Sequence, residues 1–188
     1  LDGSSAASDV YKRQPLSSLD AKLREELRIE LKKIQKDLNA TILYVTHDHV
    51  EATTMADRIG VLKDGVLSQV GTPEEIYDNP NSIYVANRLG SPKINIFDLD
   101  KTKIPSKNKA THAGIRPEDI SITNKGNYDV YIETVELLGA ETVISFKSDN
   151  VNGMLLTQTS DTFEEGKRIK IALNNKKMLY FDNNGMRI

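Results

Sequence analysis

The sequence predicts an α/β segment followed by a compact all-β domain, and three observations carry that expectation. An amphipathic helical pattern from Asp20 to Leu38 runs almost at once into the apolar run Thr41-Ile42-Leu43-Tyr44-Val45-Thr46. Its β-branched and aromatic composition suits a strand buried on both faces, as in a covered parallel sheet. From about Thr111, short apolar runs alternate with turn signals, the pattern of a small barrel or sandwich.

Composition narrows the class. The 188 residues are 38% hydrophobic and 28% charged, enough for a real core of one or two domains. A net charge of −2 gives no basic excess for nucleic acid. Zero cysteines exclude a disulfide framework and any thiolate metal site, which fits a reducing cytoplasm. No apolar run approaches a bilayer span, so membrane association is expected only through a partner. Residues 1–14, LDGSSAASDVYKRQ, fit nothing that follows and resemble a translated sequencing-adapter remnant, so fold reasoning starts at Pro15.

The elements follow in chain order. Asp20 is placed to cap a helix whose stripe is Leu23, Leu27, Leu31, Ile34 and Leu38, at the α-helical period. Lys22, Glu25, Glu26, Arg28, Lys32, Lys33 and Lys36 form its solvated face, and Asn39 ends it. The apolar run then stops at Thr46-His47-Asp48-His49. A polar cluster at the carboxyl end of a strand is where open α/β sheets hold their ligand chemistry. A helical pattern with Val50, Met55 and Ala56 on one face follows, then a hairpin, Ile59–Lys63 and Val66–Val70, around Asp64-Gly65. Thr72-Pro73-Glu74-Glu75 opens a capped helix, Asn79-Pro80 breaks it, and Ser82–Leu89 forms another. Gly90-Ser91-Pro92 marks a boundary, and Asp100–Lys109, with four lysines and a proline, is expected as a linker. Strands are expected at Ile120–Ile122, Val130–Ile132, Val143–Phe146, Met154–Leu156, Ile169–Ile171 and Met178–Phe181. Turns are expected at Lys125–Asn127, Asn152-Gly153, Glu165–Lys167, Asn174-Asn175 and Asn183–Gly185.

Several stretches together resemble one family. Pro15 to Arg24 is similar to the segment after Walker B in ATP-binding cassette (ABC) ATPases, with their D-loop at Ser17-Ser18-Leu19-Asp20. Tyr44-Val-Thr-His-Asp-His-Val-Glu-Ala52 resembles their switch loop, with His47 at the switch position. Gly65 to Pro73, Gly90 to Asn95, Gly114 to Asp119 and Val135 to Thr142 resemble the sugar- and glycerol-phosphate-import branch, whose ATPase carries an OB-like (TOBE-type) regulatory domain. The resemblance implies residues 15–97 as the C-terminal part of a P-loop ATPase domain and 98–188 as the regulatory β domain. It implies an ATP-hydrolysing transport subunit using ATP and Mg²⁺, working as a homodimer or with a paired ATPase subunit. Two integral membrane permease subunits, an external solute-binding protein and a place on the inner face of the cell membrane are implied as well. No nucleic-acid partner is expected.

The departures bound what this chain does alone. A Walker A loop, Gln loop and signature segment are absent, and Lys12-Arg13-Gln14 stands where the family has the Asp-Glu that closes Walker B. The chain therefore reads as a C-terminal piece, inactive by itself. By the resemblance, His47 contacts the γ-phosphate and helps hold the attacking water, while Ser17, Ser18, Leu19 and Asp20 lie at the subunit interface. The bland alternatives are a satisfied structural histidine and a helix N-cap. A metal site at His47 and His49 lacks a third ligand, because His112 is remote in sequence. Tyr44 and Met55 read as core, and Arg116 as structural. Two readings from other classes stay open: a stand-alone β-barrel regulatory or ligand-binding module, and an OB-type nucleic-acid binder. The aromatics Tyr128, Tyr131, Phe146, Phe163, Tyr180 and Phe181 mostly alternate as core, which argues against the second.

Overall fold

In the computed structural model, residues 21–107, 109–158 and 162–188 are described. They fall into two compact units that divide between Ala56 and Asp57.

The first unit holds two helices. Helix α1, Ala21–Leu38, forms where the leucine stripe predicts. It closes in a Schellman motif: Ala40 N–H donates to Gln35 O and Asn39 N–H to Lys36 O, both at 3.1 Å. Asn39 takes the left-handed conformation this requires, φ 47°. The stripe is poorly covered, for Leu27 and Leu31 are half-buried while Leu23, Ile34 and Leu38 are exposed. Helix α2, His49–Met55, lies beside α1, where Lys32 Nζ donates to Thr54 O at 2.8 Å.

Thr41–Thr46 departs from expectation. The run is not part of any sheet, and Leu43 and Val45 are 92% and 84% exposed. A parallel strand needs neighbours for its N–H and C=O groups, and every described strand pairs antiparallel within the second unit.

The second unit opens with a hairpin of β1, Ile59–Lys63, and β2, Val66–Gly71. Asp64 and Gly65 both have positive φ, 51° and 79°, as a type I′ turn demands. Helix α3, Pro73–Asp78, carries the full capping box: Glu75 N–H donates to Thr72 Oγ1 and Thr72 N–H to Glu75 Oε2. Helix α4, Ile83–Ala86, is capped by Ser82. It belongs to the β structure rather than to a linker, because Ala86 packs with Ile94, Leu179 and Phe181. Ile83 N–H also donates to Gly185 O, and Arg187 N–H to Asn81 O.

Eight strands follow: β3 Asn95–Asp98, β4 His112–Ile115, β5 Ile120–Ile122, β6 Tyr128–Leu137, β7 Glu141–Lys147, β8 Asn152–Gln158, β9 Arg168–Leu173 and β10 Leu179–Phe181. They form a five-stranded sheet in the order β5-β9-β6-β7-β8 and a three-stranded sheet β10-β4-β3. One apolar core draws on both: Phe97, Ala113 and Ile115 from the smaller sheet meet Val130, Ile132, Ile144, Phe146, Leu155 and Ile171 from the larger. Strand β6 serves two partners, β9 along its first half and β7 along its second, with an irregularity between Ile132 and Thr134. Such a bulge bends a strand and lets a sheet curl toward a barrel. All six expected apolar runs fall in or against these strands, whereas β3 and β4 were not foreseen.

Asn152-Gly153 is not a turn but the start of β8, paired with Lys147 and Phe146. The reversal lies just before it, where Ser148 N–H donates to Val151 O. Gly153 is a glycine because a Cβ there would collide with Asn95 Oδ1, a close approach that mimics a turn signal in sequence.

Candidate functional site

Extended backbone turns alternate side chains to opposite faces. In the run from Leu43 to His47, Tyr44 and Thr46 are half-buried while Leu43, Val45 and His47 are exposed. His47 therefore stands on the open face, and no described residue accepts from or donates to its ring. Its neighbours are held. Thr46 Oγ1 accepts from Asp48 N–H at 3.0 Å and donates to Glu51 Oε2 at 2.6 Å. Tyr44 OH donates to the same oxygen at 3.1 Å. Asp48 caps α2, its Oδ1 accepting from Val50 N–H at 2.7 Å and Glu51 N–H at 3.2 Å.

The electrostatics follow from these contacts. Partial desolvation works against the Asp48 charge, but the Glu51 and Val50 amides outweigh it and hold the carboxyl below its ordinary range. Desolvation, then the hydrogen bond and charge of Glu51, push the Tyr44 phenol up to about 12, so it stays a donor. Glu51 is 5% exposed, the one fully buried residue in the described part of the first unit.

What this cluster can hold is limited. A proton-bearing ring nitrogen of His47 can donate to one phosphate oxygen. One oxygen of each nearby carboxylate is engaged, Asp48 Oδ1 with two amides and Glu51 Oε2 with two hydroxyls, and no group of three or more candidate metal ligands occurs among the described residues. The described residues thus supply one donor and no phosphate cradle. Ser17, Ser18, Leu19 and Asp20 lie outside the described residues.

A second polar centre lies in the β unit. Arg116, 5% exposed, donates from Nη1 to Ala86 O at 3.0 Å and Leu89 O at 2.7 Å, and from Nη2 to Tyr77 O at 2.8 Å. Its guanidinium stacks 3.8 Å from the Tyr77 ring centroid. Burial lowers the Arg116 pKa, with the nearby Tyr77 and Glu118 opposing it. Burial and the hydrogen bond to Glu118 raise the Tyr77 pKa. The arrangement closes the carbonyl ends of α3 and α4 with one cation, in keeping with a structural Arg116. Asn95 does comparable work between the sheets: Nδ2 donates to Met154 O at 2.8 Å and Ile115 O at 3.3 Å, while Oδ1 accepts from Met154 N–H at 2.7 Å.

Sequence reasoning missed Glu51 and Asn95. For Glu51 a signal was present, since Asp48-His49-Val50-Glu51, with the acidic residue three positions after the N-cap, is a capping-box pattern. Asn95 has none, because its partner Met154 is 59 residues away.

Residues 113–181 match the family model of the TOBE domain. The chain is 45% identical over 145 residues to the sn-glycerol-3-phosphate import ATP-binding protein UgpC of Brucella abortus, covering 70% of this chain and 41% of that one. To the protein of the same description from Psychromonas ingrahamii it is 43% identical over 192 residues, covering 90% and 52%. To the trehalose/maltose import ATP-binding protein MalK of Thermococcus litoralis it is 35% identical over 200 residues, covering 90% and 54%. Its homologues are therefore ATP-binding proteins of sugar and glycerol-phosphate importers, and the chain spans about half the length of these curated relatives. No described helix is long and apolar enough to cross a membrane.

Proposed function

We propose that this chain is the C-terminal part of the ATP-binding subunit of an importer for sugars or glycerol phosphate. The observation that carries the proposal is His47, held out on an open face between two anchored neighbours, in a chain homologous to import ATP-binding proteins. Residues 15–97 then complete an ABC ATPase domain and 98–188 form its regulatory domain, which borrows its first strand from Asn95 onward. In the whole subunit, His47 donates to the γ-phosphate and steadies the attacking water, and Mg²⁺ is held by residues outside those described here. Ser17, Ser18, Leu19 and Asp20 face a second ATPase subunit. Two membrane permease subunits dock the pair to the inner face of the membrane, and a solute-binding protein delivers the solute from outside.

The test joins Pro15–Ile188 to the upstream half of the Psychromonas relative and measures steady-state hydrolysis and nucleotide affinity. The 188-residue chain should show no hydrolysis, because one hydrogen bond of about 1–3 kcal/mol falls far short of micromolar affinity. The joined protein should hydrolyse ATP. His47→Ala should lower kcat by about a hundredfold or more while nucleotide affinity changes little, as expected of a group acting in the transition state. Wild-type turnover in that variant returns His47 to a structural role, and hydrolysis by the 188-residue chain overturns the division of labour.

One observation favours a second reading, a β module that acts alone. Among the described residues, every buried apolar side chain lies at or after Ile59. Hydrogen exchange separates the two: a self-sufficient module gives slow amides in the β strands and fast ones in α1. Uniform protection would count against an independently stable β unit.

A further inference from the structure

We propose that Glu51 is the positioning residue of His47, acting through the Thr46 hydroxyl; this rests on the reading of His47 as the phosphate-facing side chain. Asp48 and Glu51 are spaced as a capping box, in which the glutamate normally returns to the N-cap amide. Here the return is relayed: Asp48 N–H donates to Thr46 Oγ1, and that hydroxyl donates to Glu51 Oε2. The relay draws residues 46 and 48 onto one anchor and leaves His47 at the apex between them. Tyr44, two residues earlier on the same face, brings a second hydroxyl to the same oxygen and fixes the approach of the extended run.

The burial pattern supports a positioning role over a merely structural one. Glu51 is buried in a unit where the described apolar side chains are not, so its burial stabilises little apolar core. Leaving a carboxylate that far from water costs stability unless its lone pairs are met, and here two hydroxyls meet one of its oxygens. All the ordering produced by this arrangement falls on residues 44 to 51, around the exposed histidine. The hydroxyl of Thr46 is needed both as acceptor and as donor, which valine, of the same shape, cannot supply.

The experiment is backbone and imidazole NMR with amide exchange on the 188-residue chain. Its three histidines are resolvable, and His112, in β4 of the other unit, is an internal reference. Thr46→Val should speed exchange of the Asp48 and Glu51 amides by about tenfold and broaden or shift the His47 resonances. Glu51→Gln, which swaps charge-assisted acceptance for a neutral acceptor, should give a smaller effect of the same kind. Thr46→Ser, which keeps the hydroxyl, should restore the wild-type spectrum. Protection of α1 and the His112 signal should be unchanged throughout. Three results each overturn the proposal: His47 and Asp48 unmoved by Thr46→Val, loss of α1 protection in step with them, or no slowed amides from Asp48 to Glu51 in the wild type. If His47→Ala leaves the joined enzyme active, the hydrolytic role of His47 falls while these exchange results stand or fall separately.

Discussion

Arg116→Met is the most demanding perturbation of the β unit. Methionine roughly matches the aliphatic length but removes a cation that serves three main-chain carbonyls, those of Tyr77, Ala86 and Leu89. Leaving each without a donor costs about 1 kcal/mol at the low end, and loss of stacking on Tyr77 adds about 1 kcal/mol. Against this, burying the guanidinium is itself unfavourable, as its lowered pKa indicates, and methionine avoids that cost. The balance is a loss of about 2–4 kcal/mol. For a unit of this size that lowers Tm by roughly 6–16 °C, and the urea midpoint should fall at constant slope. The loss should be local first, so exchange should quicken in α3 and α4 before it does in β6 to β8. Arg116→Lys should recover only part, since one ammonium cannot reach three carbonyls and stack as well. A Tm within about 2 °C of wild type, with α3 and α4 still protected, would refute the reasoning.

Two further outcomes follow from the same kind of contact. Asn95→Leu strands the Met154 amide and carbonyl and should cost about 2–4 kcal/mol, measured by urea unfolding. Gly153→Ala should destabilise the native chain but be milder in an Asn95→Ala background, where the colliding oxygen is gone. The Asp48 carboxyl has a folded pKa below its unfolded value, so its cap is present above the ordinary aspartate range and lost as pH falls through the folded value. Exchange corrected for intrinsic rates should show the Val50 and Glu51 amides keeping protection through the ordinary aspartate range and losing it only at lower pH, and Asp48→Asn should abolish that dependence while keeping a cap.

The elements legible in the sequence were those whose cause lies within a few residues. Asp64-Gly65 closes its hairpin because both positions take positive φ, and Thr72-Pro73 with Glu75 opens α3 because the capping partners are three apart. Asn39 ends α1 for the same local reason, and the alternation Val130, Ile132 in β6 follows the sheet period. The exposure of His47 agrees with the alternation of the run that carries it. What only the tertiary structure decided were the partners of buried polar groups. Asn95 and Met154, and Arg116 with carbonyls 27 to 39 residues away, meet because separate elements fold onto one core. No local pattern encodes that approach, and Gly153 shows how it can mislead, as a close contact there reads as a turn. Thr41–Thr46 makes the same point from the other side. Its composition specifies a strand, but a strand exists only when other backbone supplies its hydrogen bonds, and that is a property of the assembled sheet.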